Sequence, residues 1–351
     1  MTLSLTQSSK NELVGGRYHL IKQIGIGGTS QVFEAIHHLT QERVAIKIIT
    51  LNKAKSDART VARFMREAKL SQEVSHQGIV RVLDAWIDEQ QRCCLVMEYL
   101  NGVNLRDAMR CGDVTRFDLF RWIIKILEPL EVAHRANIIH RDLKPENIFI
   151  HLPAPAEKDT MISSEQYYFN EDIGELVPCE GVSIDANDID ALRLEPVQSI
   201  ETSFDIIKLL GDQFESTQVK ILDFGLSRTL MEPSVTQTGH FVGTPWYMSP
   251  EQVFSPKSCE ALTDIWSVGV LLYETLTDKV PFTGDTLPMV CTSIKEDHIS
   301  LDPLLDEYPQ LKPLIETVML CLERDLQKRI QSAAELKYRL DHSFYVFAQT
   351  A

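Results

Sequence analysis

The 351-residue sequence contains no C-x-x-C pair, and its seven cysteines, with Cys93 and Cys94 adjacent, offer neither zinc-ligand spacing nor an even disulfide framework. A reduced compartment, and hence a cytoplasmic location, is the expectation. Long apolar runs are missing as well. The longest, at 265–272, falls short of the roughly 18 residues a bilayer span needs. The opening MTLSLTQSSKNEL has neither a basic n-region nor an apolar h-region, which argues against a signal peptide. No repeat period is visible, which excludes solenoid and fibrous architectures. Basic residues are scarce: 35 Lys and Arg stand against 50 Asp and Glu, a net charge of −15. That balance excludes a general nucleic-acid or anionic-membrane binder, which needs a basic face. What is present suits a globular chain. With 44% hydrophobic residues, the length supports roughly two domains or lobes at about 150 residues each.

The charge is concentrated in one place. Residues 153–218 hold 15 acidic groups against three basic ones (Lys158, Arg193 and Lys208), and the remaining 285 residues carry a net of only −3. This stretch is expected to be partly disordered and solvated. Within it, Phe204, Ile207, Leu210 and Phe214 have the spacing of one amphipathic helix that would dock on the body or on a partner.

Residues 1–16 read as a polar, flexible tail. Period-two runs at 18–24 and 43–48 then flank Gly25-Ile26-Gly27-Gly28, the pattern of a strand–loop–strand hairpin. Only glycine brings backbone N–H groups close to a phosphate without a Cβ clash. The loop leads into a strand containing Val32 and Phe33, so it is neither a Rossmann fingerprint nor a Walker A loop. A helix is expected over 60–74 and strands over 79–86 and 93–99. A lone lysine in an apolar strand, such as Lys47, usually snorkels to solvent. Opposite the helix bearing Glu67, it would instead be held by an ion pair and aim its ammonium at a phosphate. One buried helix is expected over 117–136, a short strand over 219–222, and a central buried helix over 264–275.

Between these elements the residues reach a family. His140-Arg141-Asp142-Leu143-Lys144-Pro145-Glu146-Asn147 resembles the catalytic loop of protein kinases, and Asp223-Phe224-Gly225 resembles their metal-binding motif. Val44-Ala45-Ile46-Lys47 is similar to the nucleotide-anchoring strand, and Gly25-x-Gly27 to the start of the glycine-rich loop. Gly243-Thr244-Pro245-Trp246-Tyr247-Met248-Ser249-Pro250-Glu251 and the run beginning at Asp264 continue the series in order. The resemblance covers residues 17–345 and implies an α+β, bilobal protein-kinase fold. Its N-lobe (17–99) would be a small antiparallel β-sheet with one main helix, and its C-lobe (100–345) mostly helical.

The resemblance implies a role for each residue. Asp142 would accept or orient the substrate hydroxyl proton, and Lys144 would offset charge on the transferring phosphoryl group. Asn147 and Asp223 would hold Mg²⁺, with Mn²⁺ as an alternative. Lys47, oriented by Glu67 rather than the more terminal Glu73, would hold the α- and β-phosphates of ATP. Ile24, Val32 and Ala45 would cover the adenine and Phe149 would lie below it. Glu98 and Leu100 would offer backbone hydrogen bonds, Met97 would limit access to the back, and Gly25, Gly27 and Gly28 would approach the phosphates. Asp264 would hold the catalytic-loop backbone, and Glu251 would pair with Arg329.

Lys144 and Thr244 match the serine/threonine branch, so the substrates implied are proteins with Ser/Thr acceptors. Thr236-Gln237-Thr238-Gly239-His240 is similar to the autophosphorylated stretch of bacterial eukaryotic-like serine/threonine kinases. A phosphate on Thr236 or Thr238 would pair with Arg141 and order the segment. A back-to-back homodimer is compatible with the resemblance. Many bacterial relatives carry a membrane span after the kinase domain; this chain stops at Ala351, which fits either a soluble protein or a fragment.

Two departures stand out. Ser30 replaces the third glycine of the loop, a strained choice if that position needs a positive φ. Asn147 and Asp223 lie 76 residues apart, where the family uses a short link, so 148–151 and 219–222 should pair while the acidic stretch loops out. The competing reading is a pseudokinase whose acidic insertion recruits partners. The complete set Lys47, Glu67, Asp142, Lys144, Asn147 and Asp223 argues against it. A small-molecule kinase is disfavoured by the complete 243–251 segment, which shapes a peptide-binding surface.

Overall fold

The computed structural model describes residues 13–27, 30–50, 58–111, 114–152, 167–170, 175–178, 217–224, 245–254 and 260–350. Six antiparallel strands form the N-terminal sheet, in the order β1-β2-β3-β4-β6-β5. They are β1 (Leu13–Val14), β2 (Tyr18–Ile26), β3 (Ser30–His37), β4 (Arg43–Thr50), β5 (Val82–Ile87) and β6 (Arg92–Glu98). Helix α1 (Ala58–Glu73) packs against one face of the sheet. The pleat divides β4 between two cores. Val44, Ile46 and Ile48 join Val14, Tyr18, Cys94 and Val96 on one face. Ala45 and Ile49 join Phe64 and Ala68 of α1 on the other. Lys47 is in phase with Ala45 and Ile49, so alternation alone sets it on the α1 side of the sheet.

Two expectations for this region are corrected. Residues 13–16 are not tail: Leu13 and Val14 pair with His19 and Tyr18 across a turn made by Gly15 (φ 60°) and Gly16 (φ 67°). Positive φ at both central residues is what a tight hairpin turn requires, and glycine adopts it freely. Residues 1–12 lie outside the described residues. Ser30 carries no positive φ and opens β3 as an ordinary extended residue, its carbonyl accepting from the Gly27 N–H at 2.7 Å.

The C-terminal part is built on helices. In order they are α2 (Leu105–Arg110), α3 (Arg116–Lys125), α4 (Leu127–Arg135), α5 (Pro250–Phe254), α6 (Ala261–Thr277), α7 (Leu287–Glu296), α8 (Asp302–Glu307), α9 (Lys312–Cys321) and α10 (Ala333–Thr350). The helix expected over 117–136 is two helices broken at Ile126. Pro129 has no N–H to return to the preceding turn, which interrupts the ladder there. Thr115 caps α3 through a reciprocal box with Asp118. Helix α6 runs through the centre of the core, with Ile265, Trp266, Val268, Val270, Leu271 and Leu272 fully buried. Trp266 stacks on Phe282 at 5.4 Å. Among the described residues no helix is long and apolar enough to cross a membrane.

A second sheet, in the order β11-β8-β7, carries the loops of the site. Its strands are β7 (Gly102–Asn104), β8 (Ile148–His151) and β11 (Gln218–Ile221). The pairing expected across the acidic stretch is present: Gln218 faces His151 and Ile221 faces Ile148. Within that stretch, expected to be partly disordered, Tyr167–Asn170 (β9) and Glu175–Pro178 (β10) form an antiparallel hairpin. The 204–214 helix lies outside the described residues.

Where β7 meets β8, Gly102 has φ 152°, and a Cβ there would fall 1.9 Å from the Ile150 carbonyl oxygen. Gly102→Ala is therefore expected to cost about 1–3 kcal/mol of stability or more. A lowered unfolding midpoint in denaturant checks it.

Candidate active site

The loop 140–147 is held from below by a buried carboxylate. Asp264, fully buried at the start of α6, accepts from the backbone N–H of His140 (2.9 Å) and of Arg141 (2.8 Å). His134 Nε2 lies 2.8 Å from the same carboxylate. Arg141 sits at φ 66°, a conformation rare for a non-glycine residue. It persists because its neighbours over-determine it: Gln252 Nε2 donates to the Arg141 carbonyl at 2.7 Å while Asp264 holds its N–H. His140 is fully buried and ties the loop to β11, with Nε2 2.6 Å from the Leu222 carbonyl. Its Nδ1 accepts from the Asp142 N–H at 3.2 Å, which assigns the proton to Nε2.

Burial alone would push the Asp264 carboxyl up. The imidazoles of His134 and His140 and the Arg141 N–H outweigh it and hold the group below the usual carboxylate range. A carboxylate depressed in the folded state stabilises in full above its unfolded value of about 4, and that contribution is lost as pH falls through the folded value. Asp264→Asn should lower stability at neutral pH and flatten the acid limb of the pH–stability curve, as denaturant titrations from pH 7 to 3 would show.

Asp142, Lys144 and Asn147 form one hydrogen-bonded group. Lys144 Nζ donates to Asp142 Oδ2 at 2.8 Å. Asn147 Nδ2 donates to the Asp142 carbonyl at 2.7 Å and to Asp142 Oδ2 at 3.1 Å. The Asn147 carbonyl accepts from the Leu222 N–H at 2.8 Å, which locks this group to the strand leading into Asp223. Asp223, at φ 59°, receives Lys47 Nζ at 2.5 Å. Burial would raise the Asp223 carboxyl, but Lys47 above all, then His140 and Lys144, hold it low and ionised. Lys47, expected to pair with Glu67, pairs with Asp223 in this structure. Glu67 is on α1, half-buried, and Glu73 is the last residue of that helix.

The chemistry of the donor set fits a hard cation. Asn147 spends its Nδ2 on Asp142 and keeps its amide oxygen, and Asp223 offers an ionised carboxylate. One or two such oxygens, completed by water and phosphate, are what Mg²⁺ takes. Among the described residues no group of three or more His, Cys, Asp or Glu gathers as a self-contained metal cage.

Of the expected nucleotide-contacting residues, Ala45 and Met97 share one apolar cluster, with Val32, Leu100 and Leu222 packed against it. Ile24 is exposed and Phe149 lies on β8, both outside that cluster. The Glu98 N–H donates to the Arg81 carbonyl at 3.0 Å. Gly25 faces Val32 across the β2–β3 ladder. Gly28, Gly225, Gly243, Thr244, Thr236 and Thr238 lie outside the described residues.

Two groups escape a reading of the sequence. Lys220, buried on β11, pairs with Glu98 Oε1 at 2.8 Å, while the same oxygen accepts from the Arg81 N–H. Only its place in an otherwise apolar strand marked it. Arg106 joins Glu146, Glu274 and Tyr247. Nothing in its surroundings on α2 signals partners 40 to 168 residues away.

Comparison with known proteins agrees with this geometry. The chain matches the protein kinase domain over residues 18–158 and 209–344, and the match breaks inside the acidic stretch. It is 31% identical over 333 residues to serine/threonine-protein kinase pkn2 of Myxococcus xanthus, an alignment covering 92% of this chain and 32% of that one. It is 30% identical over 330 residues to serine/threonine-protein kinase PknB of Mycobacterium tuberculosis, covering 92% and 42%. The chain thus spans well under half the length of these curated relatives. A crystal structure of Rad53 residues 1–466 in complex with AMP-PNP superposes with a TM-score of 0.59 at 24% identity, over 92% of this chain and 64% of that one. This last likeness is one of fold.

Proposed function

The chain belongs to the protein kinase domain family, and from that premise we propose that it is an active serine/threonine protein kinase. It would transfer the γ-phosphate of Mg-ATP to Ser/Thr hydroxyls of protein substrates and autophosphorylate its own 223–251 segment. The observation that carries this reading is the Asp142–Lys144–Asn147 group locked to the strand that presents Asp223. Phosphoryl transfer asks for positioning and charge neutralisation more than covalent chemistry.

In this reading Asp142 takes the acceptor proton and is kept in place by Lys144 and Asn147. Lys144 would also neutralise charge on the moving phosphoryl group. Asn147 and Asp223 would hold Mg²⁺, which supplies charge neutralisation at the phosphate oxygens. Lys47 and Asp223 satisfy each other at 2.5 Å. Nucleotide phosphates would draw Lys47 away and leave the Asp223 carboxylate to the cation. The cluster of Val32, Ala45, Met97, Leu100 and Leu222 would receive the adenine. The names of pkn2 and PknB support the serine/threonine class, and the Rad53 complex supports an adenine nucleotide as ligand.

Nucleotide binding tests the reading directly. Mg-ATP should raise the unfolding midpoint, ATP with chelator should raise it less, and Asp223→Asn should erase the difference between the two. No stabilisation by Mg-ATP at millimolar concentration would contradict it. Binding without transfer would favour the pseudokinase alternative.

A further inference from the structure

The face of the N-terminal sheet that holds Ala45 and Lys47 also carries a charged group outside the transfer mechanism. Glu34 of β3 faces Ala45 across the ladder and lies two residues from Val32, so the pleat sets it beside the residues assigned to the adenine. It is 3% exposed. A charge buried that far needs a paired partner. Arg43, two residues before Ala45 on the same face of β4, supplies it: its Nε donates to Glu34 Oε1 at 2.7 Å. Lys22 Nζ stands farther off, 3.6 Å from Glu34 Oε2, and its side chain is 64% exposed.

The guanidinium fixed in this way lies 4.1 Å from the centroid of the Tyr99 ring. Tyr99 is the residue between Glu98 and Leu100, whose backbone groups are assigned to the adenine. In the β4–β6 ladder Val44 faces Glu98, the last residue of β6. One step further in the same register, Arg43 falls opposite Tyr99. The side-chain stack thus takes over where the strand ends, at the point where the chain must present peptide groups to a base. Burial first, and then the Glu34 charge, push the Tyr99 phenol up, while Arg43 pulls it down, so the three groups act on one another.

We propose that Glu34 and Arg43 are positioning residues for the nucleotide: the buried carboxylate fixes the guanidinium, the guanidinium holds the Tyr99 ring, and the ring sets the backbone at 98–100 in the orientation that meets the adenine edge. The proposal rests on the protein-kinase reading above. Without this clamp the strap is free to rotate at Tyr99, and the peptide groups on either side of it leave the plane of the base. A purely structural role predicts lower stability with unchanged affinity in the molecules that remain folded.

Calorimetric titration of adenosine into wild type and four variants, below their unfolding midpoints, tests it. Glu34→Gln combined with Arg43→Gln removes the clamp without stranding a buried charge. Tyr99→Leu removes the ring. Each should weaken adenosine binding about tenfold, the scale of a lost cation–π contact together with lost preorganisation. Tyr99→Phe keeps the ring and should bind as wild type does. Tyr99→Leu added to the double Gln variant should weaken binding by no more than about twofold further, because the three side chains act through one series of contacts. If the double Gln variant does not fold, Tyr99→Leu against Tyr99→Phe makes the same comparison.

An adenosine Kd within about twofold of wild type in Tyr99→Leu and in the double Gln variant, whatever their stability, would overturn the proposal. Equal weakening by Tyr99→Phe and Tyr99→Leu would overturn it too, since the ring would then not be what the clamp holds. Wild type that binds neither adenosine nor Mg-ATP would overturn the kinase reading beneath it, and the positioning role with it.

Discussion

Asp142→Asn is expected to lower kcat for phosphate transfer by about 10²–10⁴-fold, the range associated with removing a positioned general base, while KM for ATP changes little. The separation rests on the contacts of Lys47 and Asp223. These two groups, assigned to phosphate and metal, meet each other, while the Asp142 side chain meets Lys144 and Asn147, whose amide oxygen, the one assigned to the metal, is not spent on Asp142. Asparagine keeps the shape, and the bond from Asn147 Nδ2 to the backbone carbonyl at position 142 does not depend on the side chain. The variant should therefore fold with an unfolding midpoint close to that of wild type. Steady-state kinetics beside a thermal melt checks both halves. A parallel rise in KM for ATP would mean that Asp142 acts on the nucleotide.

The second large effect is on stability. Arg329 is 1% exposed and spends its guanidinium on Glu251 (2.7 and 3.2 Å), the Glu323 carbonyl (2.8 Å) and the Leu262 carbonyl (2.9 Å), lying 5.1 Å from the Trp266 ring. Arg329→Met should cost about 3–5 kcal/mol, because Glu251 is left as a buried charge without its partner. Burial would raise the Glu251 carboxyl, and Arg329 is what holds it low. Converting Glu251 to Gln in the same chain should recover part of the loss, since the stranded charge is then gone. Chemical denaturation of the two single variants and the double variant measures the coupling. Additive losses would mean that the pair does not act as a unit. Glu251 lies in the first turn of the helix whose Gln252 holds Arg141, so the same variants should also lose turnover.

Local chemistry made much of this molecule legible. Asp142, Lys144, Asn147 and Asp223 lie in short motifs that resemble those of protein kinases, and the resemblance is what assigns them roles. The β8–β11 pairing was implied by the resemblance, in which a short link joins the two strands, and it holds across the acidic stretch. Where the reading failed, the deciding partner was distant in sequence. Lys47 faces the α1 side as alternation requires, but which carboxylate it meets depends on how α1 and the 223 loop sit, and no spacing encodes that. The break at Ile126 was in principle readable from Pro129, and the β1 hairpin from Gly15-Gly16. Both were outweighed by polarity and length. Arg106 gave no local sign, since its three partners come from the catalytic loop, the 245–247 turn and α6.

The most direct test of the account is incorporation of labelled phosphate from γ-labelled ATP into the chain itself and into a basic and a neutral protein substrate, with Mg²⁺ or with chelator, followed by phosphoamino-acid analysis. The account predicts Mg²⁺-dependent label on phosphoserine or phosphothreonine that is lost in Asp142→Asn. Label on tyrosine alone, or none in wild type while Mg-ATP still stabilises the fold, would contradict it.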